Sequence, residues 1–223
     1  MTTVGFIHTV ADLAGRFEQL VAPAAVRTVH AADPSLLRRA IDVGVDEDLH
    51  RRVASHAAHL AACGADAVLV TCSSIGETVT TAAEAAGVPV LRVDAAMARE
   101  AVTRARTAGG RIAVLATVSS TLGPTGRLVQ AEADRAGGGI IVTPEVVAGA
   151  ADARSAGDHD DHDRRVRDAV ARVAGSADVV VLAQASMAAA LEGAEPPVPV
   201  LTSPVSGVAD LLAVVQQDKP RPR

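Results

Sequence analysis

In the stretch VLVTCSSIGE (68–77), an apolar run ends in Cys72, Ser73 and Ser74, and a helical pattern follows. A thiol at a helix start meets unpaired N–H groups and a partial positive charge, and both favour thiolate. A thiolate can accept a proton or attack carbon. The same N–H groups and serine hydroxyls can hold a carboxylate. The competing reading is a small buried thiol that fills space. Cys63, in HLAACGAD just before a glycine stop, reads as packing. His8 and Thr9 end another apolar run. A histidine there can pair with the thiol, donate a proton or simply hydrogen-bond a loop. In ATVSSTLGPTG (116–126), Thr117, Ser119, Ser120 and Thr121 offer hydroxyls and N–H groups suited to an anionic oxygen. The stretch has no lysine and no GxxxxGK pattern, so it does not read as a nucleotide P-loop. GDHDDHDRR (157–165) reads as a solvated helix start, with acids complementing the dipole, rather than as a metal site.

These residues need elements to position them. Strands are expected at Val4–His8, Val26–His30, Ala67–Thr71, Val88–Arg92, Arg111–Ala116, Gly139–Thr143, Val179–Ala183 and Val198–Thr202. Most are apolar at nearly every position, the signature of strands covered on both faces. Helices are expected at Ala11–Val21, Glu47–Ala62, Ile75–Ala86, Ala95–Thr107, Leu122–Arg135, Arg164–Val173 and Val205–Gln216. The alternation predicts an α/β fold with parallel sheets. The halves also repeat. ADAVLVTCSSI (65–75) lies over ADVVVLAQASM (177–187), VPVLRVD (88–94) over VPVLTSP (198–204), and VGFIHTV (4–10) over IAVLATV (112–118). Two pseudo-symmetric lobes follow, each a parallel sheet flanked by helices, with an active site expected in the cleft between them. The first lobe is 1–95, completed by a C-terminal helix over 205–217; the second is 96–204; 218–223 is a polar, Pro-rich tail expected to fray. Ligands of open α/β sheets bind beyond the carboxyl ends of strands. That directs attention to His8, Thr9, Cys72 to Ser74, Asp94, Thr117 to Thr121 and Gln184 to Ser186.

Composition narrows the function. Phe6 and Phe17 are the only aromatic residues among 223, and net charge is −5. Recognition by base or sugar stacking is not expected, and no basic face for nucleic acid is visible. No apolar run approaches a membrane span, and no leader pattern opens the chain. Two cysteines, nine residues apart, suggest no disulfide framework, so a cytoplasmic setting is expected. The broad Ala/Val/Leu helix faces make a homodimer or higher homo-oligomer an expectation.

Taken together, IHTV (7–10), VTCSSIGE (70–77), PVLRVD (89–94), IAVLATVSSTLGPT (112–125), VLAQASM (181–187) and PVLTSP (199–204) resemble the aspartate/glutamate/hydantoin racemase superfamily, over nearly the whole chain. That resemblance implies an enzyme without cofactor or metal. In the family, one cysteine removes the proton beside a carboxylate and a second returns it from the opposite face. It implies that Cys72 is the first-lobe cysteine. Ser73 and Ser74 match residues that hold the substrate carboxylate. Thr117, Ser119 and Thr121 match the second-lobe binding loop. His8 and Thr9 lie where some members have an acidic residue followed by Ser. The repeat puts Gln184, followed by Ala185 and Ser186, where the second cysteine belongs. The expected function is therefore a racemase or isomerase acting by proton transfer on a small carboxylic or amino-acid-like substrate. Cys72 is its base or nucleophile, and His8 or Ser186 stands in for the missing thiol. A single-cysteine lyase such as a decarboxylase is the alternative, since loss of CO₂ leaves a carbanion that needs one proton donor. A non-catalytic carboxylate-binding protein is the third reading. Arg92 and Arg127 are possible carboxylate partners.

Overall fold

The computed structural model describes residues 1–217; the expected frayed tail, 218–223, lies outside them. The chain divides into two compact units, Met1–Val93 with the segment from Pro204 onward, and Asp94–Ser203.

The first unit carries β1 (Thr3–His8), β2 (Arg27–Ala32), β3 (Ala67–Val70) and β4 (Val90–Arg92), with α1 (Leu13–Val21), α2 (Pro34–Asp42), α3 (Glu47–Ala62) and α4 (Val79–Ala86). The second carries β5 (Arg111–Ala116), β6 (Ile141–Val146), β7 (Val179–Leu182) and β8 (Val200–Thr202), with α5 (Ala95–Arg106), α6 (Ser119–Arg135), α7 (Ala150–Ser155) and α8 (His159–Val173). The final helix, α9 (Ser203–Gln217), adds Val208, Leu211 and Val215 to a core of the first unit. Strand order is β2-β1-β3-β4 in one sheet and β6-β5-β7-β8 in the other, and every pairing is parallel.

The repeat seen in the sequence is a repeat of structure. Asp66 accepts the Thr3 N–H at 2.9 Å, and Asp178 accepts the Arg111 N–H at 2.9 Å, in the corresponding places. In each unit the central strands are buried on both faces, as their unbroken apolar runs require. Val4, Phe6, Ala67 and Leu69 pack on Phe17, Val21 and α9. Ile7, Val68 and Val70 point the other way, onto Leu36, Leu49, Val53 and Ala57. Ile112, Val114 and Val181 pack on α5 and α6, while Ala113, Leu115, Val180 and Leu182 pack on Val166, Ala169 and Val170.

Several elements differ from expectation, among them helix α7, which was not expected. The expected strand Gly139–Thr143 runs instead over Ile141–Val146, because Gly137, Gly138 and Gly139 all adopt positive φ and form the turn before it. Pro144 is tolerated because β6 is an edge strand, where no neighbour needs its missing N–H on the solvent side. Helix α2 was not expected. Asp33 caps it by accepting the Ser35 N–H at 3.0 Å, and Pro34 occupies the first turn, where no N–H is needed. Helix α8 starts at His159, not Arg164, because Asp158 accepts the Asp161 N–H at 3.0 Å.

Gly207 sets how closely α9 docks. A Cβ there would lie 2.5 Å from the Val93 carbonyl oxygen and 2.9 Å from its Cγ2. Backbone cannot yield as a side-chain tip can. Gly207→Ala is expected to destabilise the protein by about 1–3 kcal/mol, read as a lower urea midpoint. Gly15→Ala, where a Cβ meets nothing within 4 Å, is the matched control.

Candidate active site

The chain at the carboxyl end of β3 places Cys72. Thr71 continues the strand pairing, its N–H donating to the Ile7 carbonyl at 3.0 Å. Cys72 follows in extended conformation (φ −123°, ψ 117°), partly exposed, with its side chain against the core formed by Ile7, Val68, Val70 and α3. The thiol is therefore neither fully enclosed nor fully free. The expected helix Ile75–Ala86 divides in two: Ser73–Thr78 is a 3₁₀ stretch, and α4 begins only at Val79. Ser73 and Ser74 are both buried. Arg92, at the end of β4, lies over this segment. A Cβ on Gly76 would be 2.9 Å from its guanidinium carbon, so glycine lets the cation sit on the backbone next to the Cys72 loop.

Gln184 stands at the same point of the second unit. It is extended (φ −123°, ψ 133°), follows β7 and opens a 3₁₀ stretch, Ala185–Leu191. The two residues thus have matching backbones and different chemistry. The Gln184 side-chain oxygen accepts the Thr117 N–H at 2.6 Å and the Thr117 hydroxyl at 2.8 Å. Both partners are donors, which assigns the amide orientation. The NH₂ group is the other end of the amide. Ala185 and Ser186 beside it are half-buried.

The remaining expected site residues separate. Thr117 is spent on Gln184. Thr121 is buried near the start of α6. Ser119 lines a groove of about 470 Å³ with Leu122, Gly126, Arg127 and Val142, between α6 and β6. Arg127 faces that groove. The buried Ser120 hydroxyl has no partner among the described residues.

His8 requires a correction. Strand alternation puts Phe6 and His8 on one face of the first sheet, and Ile7 and Cys72 on the other. His8 does not pair with the thiol. Its Nδ1 lies 2.9 Å from the Thr71 hydroxyl and its Nε2 lies 2.9 Å from His30 Nδ1. Burial, with His30 beside it, lowers its pKa from 6.5 to about 4, so the imidazole is neutral near pH 7. Thr9, buried, is the repeat counterpart of Thr117 and follows β1. His30 and Thr71 escaped the sequence reading, although Thr71 stands next to the singled-out cysteine. Asp94, the other strand-end acid, is fully buried and accepts from the Thr125 hydroxyl at 3.2 Å.

Two further readings change. Cys63 is exposed, with Sγ 3.8 Å from His59 Nε2, and does not serve packing. In GDHDDHDRR, Asp158 caps α8 and Asp161 pairs with Arg165 at 2.6 Å, but His162 is fully buried. The start of α8 is thus solvated on one side only.

A family model for the Asp/Glu/Hydantoin racemases matches residues 2–211, and the chain belongs to that family. A search of curated proteins returned no match. Among solved structures, the aspartate racemase of Picrophilus torridus superposes with a TM-score of 0.68 at 15% identity, covering 96% of this chain and 94% of that one. A glutamate racemase from Bacillus anthracis superposes with a TM-score of 0.68 at 14% identity, covering 97% and 82%. An arylmalonate decarboxylase superposes with a TM-score of 0.60 at 16% identity, covering 97% and 94%. At these identities the likeness is one of fold. No helix among the described residues is long and apolar enough to cross a membrane.

Proposed function

We propose that this protein is a cofactor-independent enzyme of the racemase family that moves a proton at the carbon beside the carboxylate of a small carboxylic or amino-acid-like substrate, in the cytoplasm. Cys72 is its base or nucleophile. One observation carries the reading. Two strand ends share one backbone geometry, yet one presents a partly exposed thiol and the other a glutamine whose oxygen is already committed to Thr117. An amide neither ionises nor acts as a general acid or base in the working pH range, which supports a single group carrying out the proton transfer. Gln184 is suited to hydrogen bonding rather than to proton transfer. Arg92, at the end of β4 and packed against Gly76, supports a carboxylate as ligand.

Family membership supports a racemase or isomerase. The single thiol favours a second reading, a lyase. There the substrate's C–CO₂⁻ bond breaks, its electron pair stays on carbon, and one thiol S–H delivers a proton to that carbon. Racemisation instead needs a second proton donor for the opposite face, and Gln184 cannot be one.

The test is incubation of the protein in D₂O with a panel of amino acids, 2-substituted monocarboxylates and 2-substituted malonates, followed by NMR and CO₂ detection. We expect deuterium at the carbon beside a carboxylate in at least one compound. Exchange with loss of optical purity assigns a racemase. Release of CO₂ with a single product enantiomer assigns the lyase. Saturable binding with neither exchange nor product overturns the enzymatic reading.

A further inference from the structure

The two phenylalanines of this chain are both spent around two histidines. Phe6 stacks on His8 at 5.9 Å between ring centroids and on His30 at 5.0 Å; the histidines stack on each other at 5.2 Å, and Phe17 closes the group 5.7 Å from His8. The polar atoms inside this stack form a directed chain. The Thr71 hydroxyl donates to the Ile7 carbonyl at 3.0 Å. With that proton directed to Ile7, the Thr71 lone pair accepts from His8, which assigns the His8 proton to Nδ1. His8 Nε2 is left as an acceptor and takes the proton of His30 Nδ1. His30 Nε2 has no hydrogen-bond partner among the described residues; the largely exposed Glu18 carboxylate lies 3.5 Å away.

The second unit shows that the fold does not require this chain. By the repeat, His8 corresponds to Ala116 and Thr71 to Ala183, and strand register pairs His30 with Pro144. The same strand ends are built there from apolar residues. Only the unit that carries the cysteine has the polar strut.

We propose that His8 and His30 are positioning residues for Cys72. Two neutral imidazoles stacked on Phe6, with His8 also against Phe17, hold Thr71 and thereby the peptide that carries the thiol. Each imidazole has one donor and one acceptor, so the strut has a single polarity and His8 a single tautomer. Thr71 is thus tied to Ile7 through backbone and side chain together, and the chain direction entering Cys72 is set. The role matters for function only if Cys72 is the working thiol, as proposed above, but its test does not depend on any turnover.

The experiment uses ¹⁵N-histidine-labelled full-length protein and long-range ¹H–¹⁵N correlation near pH 7, together with iodoacetamide alkylation of Cys72 in a Cys63→Ser background. In the wild type, His8 should appear as the Nδ1–H tautomer. His30→Phe keeps the ring stack but removes the donor to His8 Nε2. It should mix the His8 tautomers and change the Cys72 alkylation rate about fivefold, the effect of one buried hydrogen bond. His30→Asn, whose amide N–H falls near the lost Nδ1–H, should restore both. An Nε2–H tautomer of His8 in the wild type overturns the proposal. So does a folded His30→Phe variant with lower stability but unchanged tautomer and alkylation rate. If that variant does not fold, the wild-type tautomer and the wild-type-like alkylation expected of His30→Asn decide the matter. Failure to find any substrate would leave these results standing, whereas they could fail while Cys72 still proves catalytic.

Discussion

Replacing Cys72 with alanine should abolish deuterium incorporation into every compound that the wild-type enzyme exchanges, a loss of about 10²–10⁴-fold or more. The size of the effect follows from the asymmetry of the two strand ends. A two-thiol enzyme that loses one thiol keeps the other to carry out part of the exchange. Here the corresponding residue is Gln184, held by Thr117 at 2.6 and 2.8 Å, and it offers no proton in the working range. Nothing at that position can stand in. Cys72→Ser is expected to be nearly as inactive, because a hydroxyl is a far weaker acid than a thiol. Circular dichroism should show both variants folded, since the thiol is only partly buried and contributes little to the core. Cys63→Ser supplies the contrast. It removes the other thiol of the chain, exposed at the end of α3, and should leave exchange rates unchanged. Exchange persisting in Cys72→Ala would move the chemistry away from this residue.

The second large effect is acid sensitivity. His8 is fully buried and has a pKa of about 4, against 6.5 for a free imidazole. Its unfolded form therefore binds more protons than its folded form between those values. The associated stability is fully present above pH 6.5 and is lost as pH falls toward 4, roughly 3 kcal/mol in all. His30, also lowered by burial, acts in the same direction, although Glu18 opposes the shift. Asp33 adds a separate, lower window. Its carboxylate accepts from Ser35, Arg52 and His56, bonds that outweigh its partial burial and hold its pKa below the usual 3.8. Its contribution is present above 3.8 and disappears below. Urea midpoints measured from pH 7.5 to 3.5 should thus fall first between 6.5 and 4. In His8→Ala, which installs the residue found at the matching position of the second unit, the protein should be weaker at pH 7 but its slope across that window should shrink. An unchanged slope would mean that His8 titrates normally in the folded protein.

Most of the architecture was legible because it is local. Eight apolar runs separated by helical patterns gave eight parallel strands, and the repeat between the halves matches Cys72 to Gln184 along the sequence. The repeat also equates Thr9 with Thr117, the residue that holds Gln184, so that pair could also have been found. Helix α2 was missed although Asp33 and Pro34 are a plain start signal. The strand-end hydroxyls looked like one anion-binding group, yet Thr117 is taken by Gln184 and Ser119 faces the α6–β6 groove.

The amino-acid sequence by itself determined the alternation of strands and helices, the duplication, and the presence of one thiol where two would be symmetric. All of these depend on residues close in the chain or on a repeat visible along it. The tertiary structure alone decided which face each strand-end residue takes and what it meets there. His8 turned away from Cys72, and its partners His30 and Thr71 lie 22 and 63 residues distant. Gln184 found its partner 67 residues away, in Thr117. Cys63 emerged exposed and His162 buried. The physical reason is that a strand's pleat assigns opposite faces to neighbours in sequence, while only packing decides which helix, and which polar group, covers each face.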